Sequence, residues 1–244
     1  MVFEEGSSNY EKGSSNFEAT RWPAGTLLHA LAGPDRLALI KLGSRRAYQP
    51  GAALIHEGSP DVDTFVLLDG CCKVVVNTVD GRAVLLSVRI AGELVGELAA
   101  LDDKPRSASV IAGTRVVARV VNQQAFRRFM DDRPQAARAI HTAVYDEFRR
   151  STRHRVYLSG APTAVRLALV LDYFVAAYGQ PCADGIRIAV PLSQPELASL
   201  IGVSEPSLHR ALTDLRTRNV VLTRYRRLIV SDPAALRALA TSGG

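Results

Sequence analysis

Two hydrophobic periods meet near residue 122, and that switch limits the possible folds more than any other feature of the chain. Between Tyr48 and Asn122 the apolar residues fall in short runs: 64–68, 73–76, 84–88, 107–111 and 115–121. Asp69-Gly70, Asp80-Gly81, Gly92 and Ala112-Gly113-Thr114 punctuate them. Asp-Gly pairs favour hairpin turns, and short strands with turns roughly every 8–12 residues predict a small antiparallel barrel or sandwich. From Phe126 onward the spacing becomes helical, through Phe129, Met130, Ala136, Ala137, Ile140, Val144, Phe148 and Thr152. Pro134 suits the first turn of a helix running to about Leu158, about 37 Å long at about 1.5 Å per residue. Its stripe Ala137-Ile140-Val144-Phe148 can pack on its own barrel or pair with a second copy of itself. Ser159-Gly160-Ala161-Pro162 ends that helix and reads as a hinge.

Composition narrows the class. Hydrophobic residues make up 47% of the 244-residue chain, enough for a packed core and too many for global disorder. No apolar run approaches the roughly 20 residues of a membrane span. The opening Met-Val-Phe-Glu-Glu has neither the basic nor the apolar region of a signal peptide, so a cytoplasmic location is expected. Cys71, Cys72 and Cys182 are too few and too poorly spaced for a disulfide framework or a structural zinc site. Adjacent cysteines in a strand point to opposite faces. Residues 1–24 read as a flexible tail containing the imperfect Gly-Ser-Ser-Asn repeat at 6–11 and 13–18. A short helix is expected from about Thr26 to Leu42.

The last third carries its own pattern. An apolar helix is expected from Thr163 to Tyr178, stopped by Gly179, then a strand through Ile186, Ile188 and Val190. Ser193-Gln194-Pro195-Glu196 is a capping box for a short helix from Pro195 to Ile201. Gly202-Val203-Ser204 makes a tight turn, and Ser204 caps a second helix from Glu205 to Asn219. Residues 220–230 read as a β-hairpin around Arg224-Tyr225-Arg226-Arg227. Two short helices joined by a glycine turn and followed by a basic hairpin predict a winged helix-turn-helix that binds double-stranded DNA. Leu197, Ile201, Leu208, Leu212 and Leu215 would knit the helices together, leaving Glu205, Ser207, His209 and Arg210 outward. The net charge of +6 agrees with a polyanionic partner. Arg210 lies where it could reach a guanine edge, whereas Arg218, Arg224, Arg226 and Arg227 are better placed for phosphates.

The segment from Gly96 to Ala108 places Glu97 and Arg106 nine residues apart in a turn-rich stretch between two β-like runs. Glycine permits close backbone approach, and a guanidinium fork fits a phosphate. Glutamate can accept from a sugar hydroxyl, so Gly96, Glu97, Leu98, Arg106 and Ser107 suit a ligand with one phosphate and one ribose. A surface Glu97–Arg106 ion pair would use the same residues. No HExxH, Walker loop or GxSxG is present, so no catalytic residue and no metal site is assigned.

At this point the chain resembles the catabolite activator family of bacterial transcription factors, the cyclic-AMP receptor protein group, over about residues 25–235. Ile55-His56-Glu57-Gly58, Asp63-Thr64-Phe65, Asp69-Gly70, Gly92-Glu93-Leu94-Val95-Gly96-Glu97-Leu98 and Pro105-Arg106-Ser107-Ala108 carry the resemblance. It implies an α+β protein: an antiparallel β-roll at 25–122, a long dimerisation helix at 123–158, the hinge at 159–162 and a winged helix-turn-helix at 163–244. It also implies that Glu97 accepts from the ribose 2′-hydroxyl and that Arg106 and Ser107 hold the cyclic phosphate. Ser151 and Thr152 would lie by the purine, one from each subunit of a homodimer. Ile140, Val144 and Phe148 would form the seam between subunits, and Ser193 and Ser204 would join the DNA contacts. The implied ligand is cyclic AMP, with cyclic GMP possible, and RNA polymerase is an implied partner. The family's usual arginine-glutamate opening of the recognition helix is here Glu205-Pro206. The alternatives are a DNA-binding regulator of the same fold answering to cyclic GMP, a redox signal or no ligand, and a cyclic-nucleotide module regulating an enzyme.

Overall fold

The structure is a computed structural model that describes residues 22–79, 81, 83–158, 160–224 and 227–242. The expected tail up to residue 21, and Asp80, Ser159, Tyr225 and Arg226, lie outside the described residues.

Two short helices open the described chain, α1 (Leu27–Ala30) and α2 (Gly33–Lys41). The single helix expected over 26–42 is therefore broken. Pro34 enters the first turn of α2, and proline starts a helix more readily than it continues one. Eight strands follow: β1 (Ser44–Tyr48), β2 (Ala53–Ile55), β3 (Thr64–Asp69), β4 (Cys71–Asn77), β5 (Ala83–Ile90), β6 (Leu94–Val95), β7 (Ser109–Ala112) and β8 (Val116–Val121). They form two four-stranded antiparallel sheets, ordered β1-β8-β3-β6 and β2-β7-β4-β5. The helix α3 (Glu97–Asp102) interrupts them where only turns were expected.

The sheets face each other across a core containing Ile55, Phe65, Leu67, Cys72 and Val110. Alternation along β3 sends Val66 to the opposite face, where it packs with Leu28, Leu39, Phe126 and Ile140 of the helical layer. Helices cover that face, so β3 is apolar on both sides and reads as a continuous run. The same alternation splits Cys71 from Cys72, as expected: Cys72 faces the roll interior and Cys71 faces the C-terminal domain. Burial pushes the Cys72 thiol up to about 12.

The helical region beyond β8 is two helices, α4 (Gln123–Asp132) and α5 (Pro134–Leu158). Asn122 caps α4 by accepting from the Ala125 N–H, and the chain breaks at Arg133 because Pro134 has no N–H to continue the ladder. The C-terminal domain contains α6 (Thr163–Tyr178), β9 (Gly179–Cys182), β10 (Gly185–Ile188), α7 (Gln194–Leu200), α8 (Glu205–Thr217), β11 (Val221–Arg224), β12 (Arg227–Val230) and α9 (Pro233–Thr241). Strand β9 and helix α9 were not anticipated. The sheet order β11-β12-β10-β9 places the wing hairpin beside β10. The architecture is α+β, with an N-terminal β-roll, a long helix and a C-terminal winged helix-turn-helix.

The roll and the C-terminal domain touch. Leu85 and Val88 of β5 join the apolar cluster of α6 and α7. Lys73 Nζ lies 2.7 Å from Glu196 Oε1, and the Leu85 N–H donates to Ser199 Oγ at 3.1 Å.

Candidate functional site

The first site is built around Gly96. Its φ of 82° is in the left-handed region, and a Cβ there would lie 2.6 Å from Arg106 Nη1 and 2.9 Å from the Asp63 carbonyl oxygen. Only glycine lets the chain turn here into α3, which begins with Glu97.

Arg106 is buried at 4% exposure. Its Nε donates to Asp61 Oδ1 at 2.9 Å, and Nη2 donates to the same oxygen and to the Asp63 carbonyl at 2.6 Å. Nη1 donates to the Gly96 carbonyl at 2.8 Å. Four of the five guanidinium hydrogens are thus engaged within the chain. The carboxylate against Arg106 is Asp61, so the Glu97–Arg106 ion pair is not what forms. Burial works against ionisation of Asp61, but the bonds from Ser59 and Arg106 hold its carboxyl below the ordinary range. The sequence reading missed Asp61. Its only signal was membership in a turn-rich Gly58-Ser59-Pro60-Asp61 stretch far from Arg106.

Gly96, Glu97, Leu98, Arg106 and Ser107 line one cavity of about 200 Å³, with Ile55 and Val74 as apolar wall. Ser107 is exposed and Glu97 half-buried. Burial raises the Glu97 carboxyl above its ordinary range, opposed chiefly by the Arg89 guanidinium. The cavity can therefore offer a carboxylate, a hydroxyl and a guanidinium edge to one small ligand. Ser151 and Thr152 are exposed on α5 and do not line it within one chain. Thr152 Oγ1 donates to the Phe148 carbonyl at 3.0 Å.

The stripe on α5 divides. Ile140 is fully buried against α1, α2 and β3 of its own chain, which corrects its assignment to a seam between subunits. Val144 is half-buried, whereas Phe148 and Tyr145 are 68% and 63% exposed. The roll ends before the helix does, so the same stripe begins inside the chain and finishes outside it.

The second site is the helix-turn-helix. Ser193 accepts from the Glu196 N–H while Glu196 accepts from the Ser193 N–H, closing the capping box on α7. Gly202, at φ 64°, turns the chain into α8. Ser204 occupies the N-cap of α8, but its hydroxyl bonds Ser207 Oγ at 3.0 Å and does not cap the backbone. Pro206 removes one of the two N–H groups that an N-cap normally serves. Leu208, Leu212 and Leu215 are buried, leaving Glu205, His209 and Arg210 exposed and Ser207 half-buried. Arg210 Nη2 donates to Ser207 Oγ at 3.2 Å.

The basic residues divide by role. Arg216 donates to Thr213 Oγ1 at 2.8 Å and Thr223 Oγ1 at 3.2 Å, fastening α8 to the wing. Arg218 pairs with Asp214 at 3.0 Å and Arg224 with Asp184 at 3.0 Å, both at the surface. Such exposed pairs contribute little and open readily to a stronger anion. Arg227 stands opposite Arg224 in the wing ladder, and Arg226 lies outside the described residues. Among the described residues no helix is long and apolar enough to cross a membrane, and no His, Cys, Asp and Glu group could hold a metal ion.

Known proteins share both halves. The cyclic nucleotide-binding domain family matches residues 45–133, and the Crp-like helix-turn-helix domain family matches residues 165–239. The CRP-like cAMP-activated global transcriptional regulator of Mycobacterium tuberculosis is 26% identical over 186 residues, covering 76% of this chain and 83% of that one. The structure of FixK2 from Bradyrhizobium japonicum superposes with a TM-score of 0.71 at 18% identity, over 83% of this chain and all of that one. The c-di-GMP responsive global regulator CLP of Xanthomonas campestris gives a TM-score of 0.71 at 18% identity, over 82% of this chain and all of that one. Fold and sites together define a DNA-binding regulator with a cyclic nucleotide-binding domain. The chain belongs to the CRP/FNR family of transcription regulators.

Proposed function

We propose that this protein is a cyclic AMP-responsive transcription regulator that acts as a homodimer on near-palindromic DNA. The observation that carries the reading is the convergence of Glu97, Arg106 and Ser107 on one cavity. In this reading Glu97 accepts from the ribose 2′-hydroxyl, and Arg106 and Ser107 hold the cyclic phosphate. The exposed Phe148 and Tyr145 form the seam between the long helices, with half-buried Val144 beside them. Pairing there brings Ser151 of one subunit and Thr152 of the other toward the purine. Arg210, Glu205, Ser207 and His209 face the bases, while Ser193, Ser204, Arg218, Arg224, Arg226 and Arg227 serve the DNA backbone. The protein works in the cytoplasm, recruits RNA polymerase and acts as a regulator, not an enzyme.

The cAMP-activated relative from M. tuberculosis supports the choice of ligand. A second reading keeps the DNA-binding function and changes the ligand, favoured by one observation: Asp61 already fills the Arg106 fork that a phosphate would use. The responsiveness of CLP to c-di-GMP fits that alternative. A redox signal through Cys71 and Cys72 is disfavoured because burial raises both thiol pKa values. Calorimetric titration with cyclic AMP and cyclic GMP, followed by DNA-cellulose retention with and without the nucleotide that binds, tests the proposal. Saturable binding of cyclic AMP together with nucleotide-dependent retention is the expected result. Binding of neither nucleotide with undiminished retention would favour the second reading.

A further inference from the structure

Glu97 lies between two cavities. Beyond it, opposite the cassette, a cavity of about 170 Å³ is lined by Arg89, Glu93, Glu97, Glu147 and Arg150. Asp146 lines it too, so four carboxylates converge there on two guanidiniums. Arg89 lines both cavities. Its Nη2 lies 2.9 Å from Glu147 Oε1 and its Nη1 3.9 Å from Glu93 Oε1.

From Glu147 the contacts continue into the DNA-binding domain. Glu147 also pairs with Arg150, whose Nη1 donates to the Tyr173 hydroxyl at 2.7 Å. The Arg150 guanidinium sits over the Tyr173 ring, 5.6 Å from its centre. The Tyr173 hydroxyl is 3.4 Å from that of Tyr178, and Tyr178 donates to the Val88 carbonyl at 3.0 Å. Val88 precedes Arg89 in β5, so the path leaves β5, crosses α5 and α6, and returns to β5.

Glu97 lines both cavities with Arg89 and so lies in the field of this circuit, and its own burial is the largest influence against its ionised form. Glu93 and Glu147 disfavour its ionised form and Arg89 favours it. An ionised carboxylate accepts a ribose hydroxyl more strongly than a neutral one.

We propose that Arg89, which lines both cavities beside Glu97 and pairs with Glu147, is the positioning residue for Glu97, and that its place between the two carboxylates ties ribose occupancy to the DNA-binding domain. This rests on the reading of the cassette as a cyclic-nucleotide site. A ribose hydroxyl donating to Glu97 changes the charge that Arg89 meets on that side. The balance of its pairing with Glu147, and with it the hold of Arg150 on Tyr173, shifts in response. Only a ligand that interacts differently with the two arrangements can shift their populations. A nucleotide lacking the 2′-hydroxyl fills the cassette without that differential contact.

The test uses the full chain, cyclic AMP and its 2′-deoxy analogue. Calorimetry compares wild type, Arg89→Met and Arg89→Lys, and hydrogen exchange follows residues 171–178 of α6 with each nucleotide. Wild type should prefer the ribose form by about tenfold, the scale of one charge-assisted hydrogen bond. Arg89→Met should bring that ratio close to one while the affinity for the deoxy form changes less than about twofold, and Arg89→Lys should restore part of the ratio. Cyclic AMP, but not the deoxy form, should alter exchange in α6 of wild type, and neither should do so in Arg89→Met. A wild-type ratio retained in Arg89→Met overturns the inference, as does equal loss of both ligands, which marks a structural role only. Equal perturbation of α6 by both nucleotides also overturns it. If wild type binds neither nucleotide, the cassette reading itself fails and the inference falls with it.

Discussion

Arg106 holds the roll together before it holds any ligand. Its guanidinium ties Asp61, the Asp63 carbonyl and the Gly96 carbonyl into one knot. Arg106→Ala should therefore abolish nucleotide binding and also destabilise the unliganded protein by roughly 1–3 kcal/mol, because the partly buried hydrogen bonds of a charged donor are lost. A thermal melt without nucleotide measures the second effect, and an unchanged melting temperature would contradict it. Glu97 gives a pH test. Its carboxyl is raised by burial, with Glu93 and Glu147 adding to that rise and Arg89 opposing it. The ionised form that accepts the ribose hydroxyl is present above the raised value and is lost as the pH falls through it. Affinity for cyclic AMP should thus fall as the solution is acidified through that raised value, above where an ordinary carboxyl would act, while that for the 2′-deoxy analogue should stay nearly level; calorimetry at stepped pH distinguishes them. The sequence alone marks Gly96, Glu97, Arg106 and Ser107 as a group. It does not reveal Asp61, because the pairing spans 45 residues and depends on how two loops of the roll meet.

At the scale of elements, α5 divides its work along its length. Its first half packs Ala136 and Ile140 into the chain's own helical layer, and its second half leaves Tyr145 and Phe148 in solvent. Ile140→Ala should cost about 2–5 kcal/mol of stability and leave association unchanged. Phe148→Asp should leave the fold intact and yield monomers, because a carboxylate buried between two helices has no partner. Sedimentation velocity and thermal melts on both variants separate the effects, and a dimeric Phe148→Asp protein would remove the long helix from the interface. Helical spacing marked all of these residues as one stripe. The end of the roll divides it, and no local property of the chain records where that edge falls. The short helices show the opposite case. The capping box at Ser193 and Glu196 and the turn at Gly202 place α7 and α8 to within a residue or two, because each depends only on its own neighbours.

At the scale of the whole molecule, the reading head rests on the roll. Lys73 and Glu196, 123 residues apart, join β4 to the first turn of α7. Burial opposes ionisation of Glu196, but the bonds from Lys73 and Ser193 prevail and hold its carboxyl below the ordinary range. A depressed carboxyl stabilises the folded state above its unfolded value, and that contribution is lost as the pH falls through the folded one. Lys73→Met should therefore loosen the contact at neutral pH. Faster hydrogen exchange in α7, with the strands of the roll unchanged, is the expected result. Recognition belongs to this scale as well. Arg210 stands exposed on the second turn of α8, and Arg210→Ala should cost roughly 1–3 kcal/mol on the preferred site and relax discrimination at one position. Selection from random duplexes should return a near-palindrome with half-sites about one helical turn apart. Recovery of unpaired half-sites would contradict a two-fold reading head.

What could be read along the chain was whatever depends on near neighbours. The strand and helix periods, the capping box and the change of pattern near residue 122 appear in the folded molecule. Each is set by dihedral preferences and hydrogen bonds reaching only a few residues. The Asp69-Gly70 turn, however, passes the chain from one sheet to the other and does not close the hairpin its residues suggest, since β3 and β4 do not pair. The long-range pairings were not legible there. Asp61 in the fork of Arg106, Ile140 inside and Phe148 outside, and Lys73 against Glu196 each depend on which surfaces packing brings together. Apolar burial has no direction of its own, so spacing can say that a residue will be buried but not against what.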